Sequence, residues 1–221
     1  MDKGITIGNA LLWSAIWFAF MLGYTVIDMM LWRNLSVSYA RFLHTTTIGA
    51  FIVLLIIVLC KYTSFQVNDL FTISWKDVIA ALLLAVAFYV VLDKGIDPVV
   101  EKLFPVSEAG YQETLARLKA SPAASMIHIC ILAPFIEEIL IRGYVLNGLN
   151  RTYGLGIALA ISTLLFAILH FNMVQTISAL ICGIALGIFY IRTGSISACI
   201  FAHCAYNTIS FFAMLSNRGM S

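Results

Sequence analysis

Apolar runs near 20 residues recur along this chain, at roughly 5–31, 42–61, 77–93, 123–148, 155–171, 174–191 and 196–215. About 20 residues at a 1.5 Å rise cross a ~30 Å hydrocarbon core, so such runs are long enough to span a bilayer as helices. Lipid offers backbone amides no hydrogen-bond partner, which restricts spanning segments to helices or closed barrels. Barrel strands would be about 10 residues of strict apolar–polar alternation, and no such segment occurs. The expected fold is all-α: a polytopic transmembrane helix bundle of about seven spans, with six to eight as the range, forming a single domain over residues 1–221. Composition points the same way. The chain is 62% hydrophobic and 11% charged, where a soluble domain carries about 25% charged residues to cover its surface.

A net charge of +2 gives no electrostatic footprint for nucleic acid, so membrane lipid is the expected surrounding. The five cysteines (Cys60, Cys130, Cys182, Cys199, Cys204) sit in or beside apolar runs without CxxC spacing and read as buried small hydrophobes. The first apolar run is too long for a signal peptide and lacks an A-x-A end; it carries Asp28 near its end, expected at the membrane edge or else paired with a distant basic group. Basic residues divide seven against five between the two sides of an alternating model, a weak preference for an N-terminus-outside orientation. The longest polar stretch runs from Asp93 to Pro122. Within it Tyr111, Leu115 and Leu118 recur at i, i+4, i+7 among Glu113, Arg117 and Lys119. That pattern predicts an amphipathic helix, either lying in the membrane interface or simply connecting spans.

Ionisable groups inside a span are costly and mark function. Here they gather in the last hundred residues. The fourth span carries adjacent Glu137 and Glu138 with Arg142, the fifth ends in Phe166 and His170, and the seventh carries His203 and Asn207. Glu138 and Arg142 are i, i+4 with the acid first, the better order for an ion pair, and a bidentate contact would hold Glu138 ionised. Glu137 points ~100° away and is free to face a cavity. His203 and Asn207, also i, i+4, share a face. Straight helices at 1.5 Å per residue put Glu137, His170, His203 and Asn207 at depths of roughly 17, 24, 12 and 18 Å from one membrane side. Four polar groups on three helices thus fall in one mid-membrane layer.

That grouping suits hydrolysis. A glutamate and a histidine can share the proton of one water and make it a nucleophile. A second histidine and an asparagine amide can donate to the oxyanion of a tetrahedral intermediate. Alternatively, Glu137, His170 and His203 form a two-His, one-Glu set for Zn²⁺ with water as fourth ligand. Three features lean against a required metal. Depth separates His170 and His203 by roughly 12 Å, no acid in spans five or seven orients either imidazole, and Asn207 suits an oxyanion better than zinc. The HExxH motif is absent.

The three segments resemble the CPBP family of intramembrane proteases, also called Abi or CAAX-protease-like proteins, whose motifs are EExxxR, FxxxH and HxxxN. Here these are Glu137-Glu138 with Arg142, Phe166 with His170, and His203 with Asn207, and the Thr193-Gly194-Ser195 turn before the last motif matches as well. The resemblance covers roughly residues 123–215, a catalytic core. It implies an intramembrane endopeptidase in which Glu137 and His170 activate water and His203 and Asn207 form the oxyanion hole. Glu138 and Arg142 would support the site, and Phe166 would pack to fix the His170 rotamer. Eukaryotic members trim prenylated CAAX proteins; bacterial members are linked to peptide-precursor processing and bacteriocin immunity. The short loops look more like the bacterial kind, in the plasma membrane, acting on a membrane-associated or lipid-modified peptide or protein. The alternatives are a non-catalytic scaffold or immunity protein of the same fold, which loss of a motif residue would favour, and a transporter, which would show paired broken helices.

Two further patterns bear on packing. His128 precedes Glu137 by nine residues, which on a regular helix turns it ~180° to the opposite face. Ala179, Gly183 and Gly187 form a small-xxx-small stripe, which would let the sixth span approach the catalytic helices closely.

Overall fold

A computed structural model describes residues 4–27, 37–62, 67–105, 122–170 and 173–216. All regular structure among them is helical. The helices are α1 (Ile7–Ile27), α2 (Val37–Tyr62), α3 (Trp75–Leu103), α4 (Pro122–Tyr153), α5 (Leu155–Ile168), α6 (Met173–Thr193) and α7 (Ile196–Ser216). Among the described residues α3, α4, α6 and α7 are long and apolar enough to cross a membrane. The chain is an all-α membrane helix bundle. Asp28 and the amphipathic stretch at 111–119 lie outside the described residues.

Helix α4 is the axis of the bundle. Every residue from Glu138 to Leu146 is buried, and a helix covered on all sides needs apolar residues all round it. Its sequence supplies them, apart from the charged residues that carry the site. Two stretches of α4, His128–Leu132 and Ile139–Leu146, wind as wider π turns. The first has a covalent cause. Pro134 has no N–H and its ring crowds the carbonyl four residues back, and the Ala133 N–H reaches back to the His128 carbonyl instead, an i→i−5 bond.

Helix α3 also contains a π stretch, Tyr89–Ile96, and continues through it to Leu103. This corrects the expected end of the third span near Asp93. Polar residues there do not end the helix because the bundle itself satisfies them: the Tyr206 hydroxyl donates to Asp93 Oδ1 at 2.8 Å, and the Ser178 hydroxyl donates to Asp97. Helix α3 packs along α7, with the Phe88 and Tyr206 rings edge to face at 5.5 Å.

Helix α5 is the short element. Its 14 residues rise about 21 Å, less than a bilayer core, so its C-terminal end and His170 stop within the bundle's depth. Helix α6 packs against it across the small-residue stripe. A Cβ added at Gly183 would come 3.0 Å from Thr163 Cγ2 and 3.4 Å from the Phe166 ring, and one at Gly187 would come within 2.4 Å of Leu159 Cδ1. The stripe has the close-packing role expected of it. Gly194, at φ +65°, makes the left-handed turn between α6 and α7. Ser195 then caps α7 by accepting from the Ala198 N–H at 3.1 Å and donates to the Thr72 carbonyl at 2.5 Å, while Ser197 donates to the Leu70 carbonyl at 2.5 Å. These bonds tie the segment before α3 to the start of α7.

Gly183→Val drives a branched side chain into Thr163 and Phe166. Overpacking of this kind costs about 1–3 kcal/mol, which for a chain of this size lowers the melting temperature by roughly 3–10 °C. Thermal unfolding of the purified protein in detergent checks this; an unchanged melting point would mean that α5 and α6 are not in van der Waals contact here.

Candidate active site

Adjacent acids on one helix must face different directions, and the two glutamates of α4 do. The Glu138 side chain is fully buried, whereas that of Glu137 remains 20% exposed. Glu137 lines a cavity of about 550 Å³ walled by α3, α4, α5, α6 and α7 and open on one side. His170, His203 and Asn207 line the same cavity. The four residues singled out from the sequence are thus brought together around one space.

Glu138 faces inward to the other partners. Its Oε1 accepts from Arg142 Nη1 at 2.8 Å and from His203 Nδ1 at 2.9 Å. The pair with Arg142 is therefore single rather than bidentate, because the same oxygen is shared with a third residue from α7. Arg142 is held from two other directions. Its Nη2 lies 3.4 Å from the Gly183 carbonyl, and its guanidinium stacks over the Phe166 ring at 4.6 Å, a cation–π contact in a site shielded from water. That carbonyl belongs to a glycine of the small-residue stripe, which links the packing of α6 to the ion pair.

Both histidines are oriented through Nδ1. His170 Nδ1 lies 2.9 Å from the Phe166 carbonyl. A carbonyl only accepts, so Nδ1 carries the proton and Nε2 is the free nitrogen. His203 Nδ1 donates to the Glu138 carboxylate, and its Nε2 sits 3.9 Å from Glu137 Oε2. Phe166 stands between the two imidazoles, edge to face with His170 at 5.2 Å and with His203 at 5.8 Å. Straight helices would separate these histidines by roughly 12 Å in depth; in the bundle they share one ring. The acid that orients His203 comes from α4, where it was not sought in spans five and seven. Missing orienting partners therefore do not count against a metal. Among the described residues no three His, Cys, Asp or Glu side chains are grouped to hold a metal ion.

Asn207 Nδ2 donates to the Ile129 carbonyl at 2.9 Å, so one of its two amide hydrogens is committed to α4. His128 is a correction. It lines the cavity, whereas a regular helix turns it to the far side from Glu137. The π turn between them takes up an extra residue and rotates the helix face by about 100°, which brings His128 round. Asp93, Asp97 and Tyr206 also line the cavity and were not singled out from the sequence. The i, i+4 spacing of the aspartates and the position of Tyr206 three residues after His203 were the available signals.

Residues 119–209 match the model of the Rce1-like family, described as type II CAAX prenyl endopeptidase. Over that stretch the chain is similar to CAAX-protease-like proteins. All three motifs and every cavity-facing residue of α4, α5 and α6, with those of α7 up to Asn207, fall inside the match. No curated protein and no solved structure matches the chain. That similarity supports protease activity in general, and with the four long apolar helices it suggests a multi-pass membrane protein.

Removal of one partner from a buried ion pair leaves an uncompensated charge, at a cost of about 3–5 kcal/mol. Arg142→Ala removes the partner of Glu138 and the cation over Phe166, and should lower the melting temperature by about 10 °C or more. Glu137→Gln breaks no ion pair as close as 3 Å and should melt within about 3 °C of wild type. Equal melting points for the two variants would contradict the division of roles between the glutamates.

Proposed function

We propose that this chain is an intramembrane endopeptidase that cuts a membrane-associated or lipid-modified peptide or protein in the cell membrane, using water activated by Glu137 and His170. The observation that carries this is the convergence of Glu137, His170, His203 and Asn207 on one cavity. The Nε2 of His170 and the carboxylate of Glu137, which has His203 Nε2 at 3.9 Å, are both proton acceptors. Between them they can take a proton from a water as its oxygen attacks the scissile carbonyl carbon. The carbonyl π electrons move to oxygen, forming the tetrahedral oxyanion.

Donors to that oxyanion are then required. His203 in its doubly protonated form presents Nε2–H to the cavity, while its Nδ1–H stays on Glu138. The carboxylate steadies the imidazolium, as an acid does behind a catalytic histidine in hydrolases. The Asn207 N–H not engaged by Ile129 is the second donor. Collapse of the oxyanion breaks the C–N bond, and the proton held by Glu137 or His170 passes to the departing amine. One water is consumed, and a carboxylic acid and an amine are released, the acid then giving its proton to the amine. No metal takes part in this sequence. The charges balance within the cluster: Arg142 and imidazolium His203 against Glu137 and Glu138.

A general base contributes about 10²–10⁴-fold. Glu137→Gln should lower cleavage by at least about 100-fold, read with a farnesylated CAAX peptide and unprenylated precursor peptides bearing a quenched fluorophore. Near-normal turnover by Glu137→Gln would sink the assignment of the base. Wild-type activity should persist after exhaustive chelation, with metal content measured on the same sample. Complete loss, restored by one equivalent of Zn²⁺, would make the protein a metalloprotease instead.

A further inference from the structure

Pro134 lies one turn before Glu137 and leaves the helix with an unmet hydrogen bond. In a regular α-helix the Ile129 carbonyl accepts from the Ala133 N–H. Here that N–H is spent on His128, five residues back. In the same wider register the donor to Ile129 would be residue 134, and proline has no N–H. The carbonyl therefore loses both candidate donors at the point where the helix has shifted register. A carbonyl buried without a donor costs about 1–3 kcal/mol, and lipid cannot supply one.

The missing donor comes from another helix. Asn207 Nδ2 reaches the Ile129 carbonyl at 2.9 Å, across 78 residues of sequence. The direction of this bond settles the amide: only the NH₂ end can face a carbonyl, so Oδ1 points elsewhere. His203, one turn before Asn207 on α7, binds Glu138 on the same helix α4. Helix α7 thus grips α4 on both sides of Pro134, at Ile129 and at Glu138. Glu137 lies between the two attachment points in sequence.

We propose that Asn207 is a positioning residue that replaces the hydrogen bond Pro134 cannot make, holds the π turn of α4 open, and thereby sets where the Glu137 carboxylate lies in the cavity. This rests on Glu137 as the base, and extends it to a residue whose carbonyl partner is not itself part of the chemistry. The single remaining N–H of Asn207 is aimed by the bond that the other one makes. Restoring a backbone N–H at position 134 lets α4 rewind, so that Ile129 is satisfied from within its own helix and the Asn207 amide loses its structural task.

The test is a double-mutant cycle of Asn207→Ala and Pro134→Ala in the full-length protein in detergent. Two readouts are used, neither of which requires that any peptide be cut. One is thermal unfolding. The other is the rate at which dicyclohexylcarbodiimide modifies Glu137, located by peptide mass spectrometry. Asn207→Ala should lower the melting temperature by about 3–8 °C in the parent, and by less than about a third of that when Pro134 is already alanine. It should change the Glu137 modification rate at least about threefold in the parent, and the double variant should react within about 1.5-fold of Pro134→Ala alone. Equal losses of melting temperature in both backgrounds, or an unaltered Glu137 rate in Asn207→Ala, overturn the proposal. If Pro134→Ala does not fold, Asn207→Asp decides the matter. It keeps the size of the side chain but opposes an acceptor to the Ile129 carbonyl, so it should melt at least as low as Asn207→Ala; a wild-type melting point overturns the proposal. Failure of Glu137→Gln to stop cleavage, with the cycle behaving as expected, would instead remove the proposed base and leave the Asn207 contact standing.

Discussion

One carboxylate oxygen, Glu138 Oε1, is shared between Arg142 at 2.8 Å and His203 at 2.9 Å, and the site is organised around it. A fully buried acid far from water cannot stand alone. Arg142 neutralises it from the same helix, one turn on. His203 then draws α7 against α4. The cation of Arg142 is in turn held by the Phe166 ring and the Gly183 carbonyl, so α5 and α6 are attached to the same point. Four helices are joined through a cluster whose separate contacts are each modest. In a bilayer such contacts matter more to geometry than to net stability, because apolar faces pack against one another little better than against lipid.

The same cluster explains why two adjacent glutamates differ. Their sequence neighbours are alike, but Glu138 points to the arginine one turn away and Glu137 points to the cavity. Tightening the bundle around Glu138 leaves Glu137 facing open space beside His170 and His203. Phe166 separates the two imidazoles while touching both and also carries the Arg142 cation. It does more than fix one histidine rotamer. A single ring is common to the ion pair and to both histidines.

Irregular winding has a comparable part in the architecture. The π turns of α3 and α4 change which residues face the cavity. They bring His128 to the side of Glu137 and carry α3 on past Asp93 so that Asp97 meets Ser178. A backbone out of regular register is tolerable in a membrane only where side chains or neighbouring helices satisfy it. Asn207 does so at Ile129, and Tyr206 and Ser178 meet the two aspartates on the other wall.

The seven apolar helices and the pairing of Glu138 with Arg142 were legible in the sequence, because they depend on local periodicity: runs of apolar residues, and i, i+4 spacing on one face; the end of α3 and the shortness of α5 were not. The same local rules separated Glu137 from Glu138 and put His203 and Asn207 on one side of α7. They also placed the small residues of α6 correctly, since a Gly-xxx-Gly stripe has one packing use in lipid. What needed the tertiary structure was every contact between helices. That His203 shares an oxygen with Arg142, that Phe166 lies between two histidines, and that Asp93 and Asp97 face the same cavity all follow from tilt and crossing, which sequence spacing does not encode. His128 is the sharpest case. Nine residues of regular helix turn it away from Glu137, but a proline without an N–H shifts the hydrogen-bond register between them, and only the bundle, by supplying Asn207 as the missing donor, lets that shift stand.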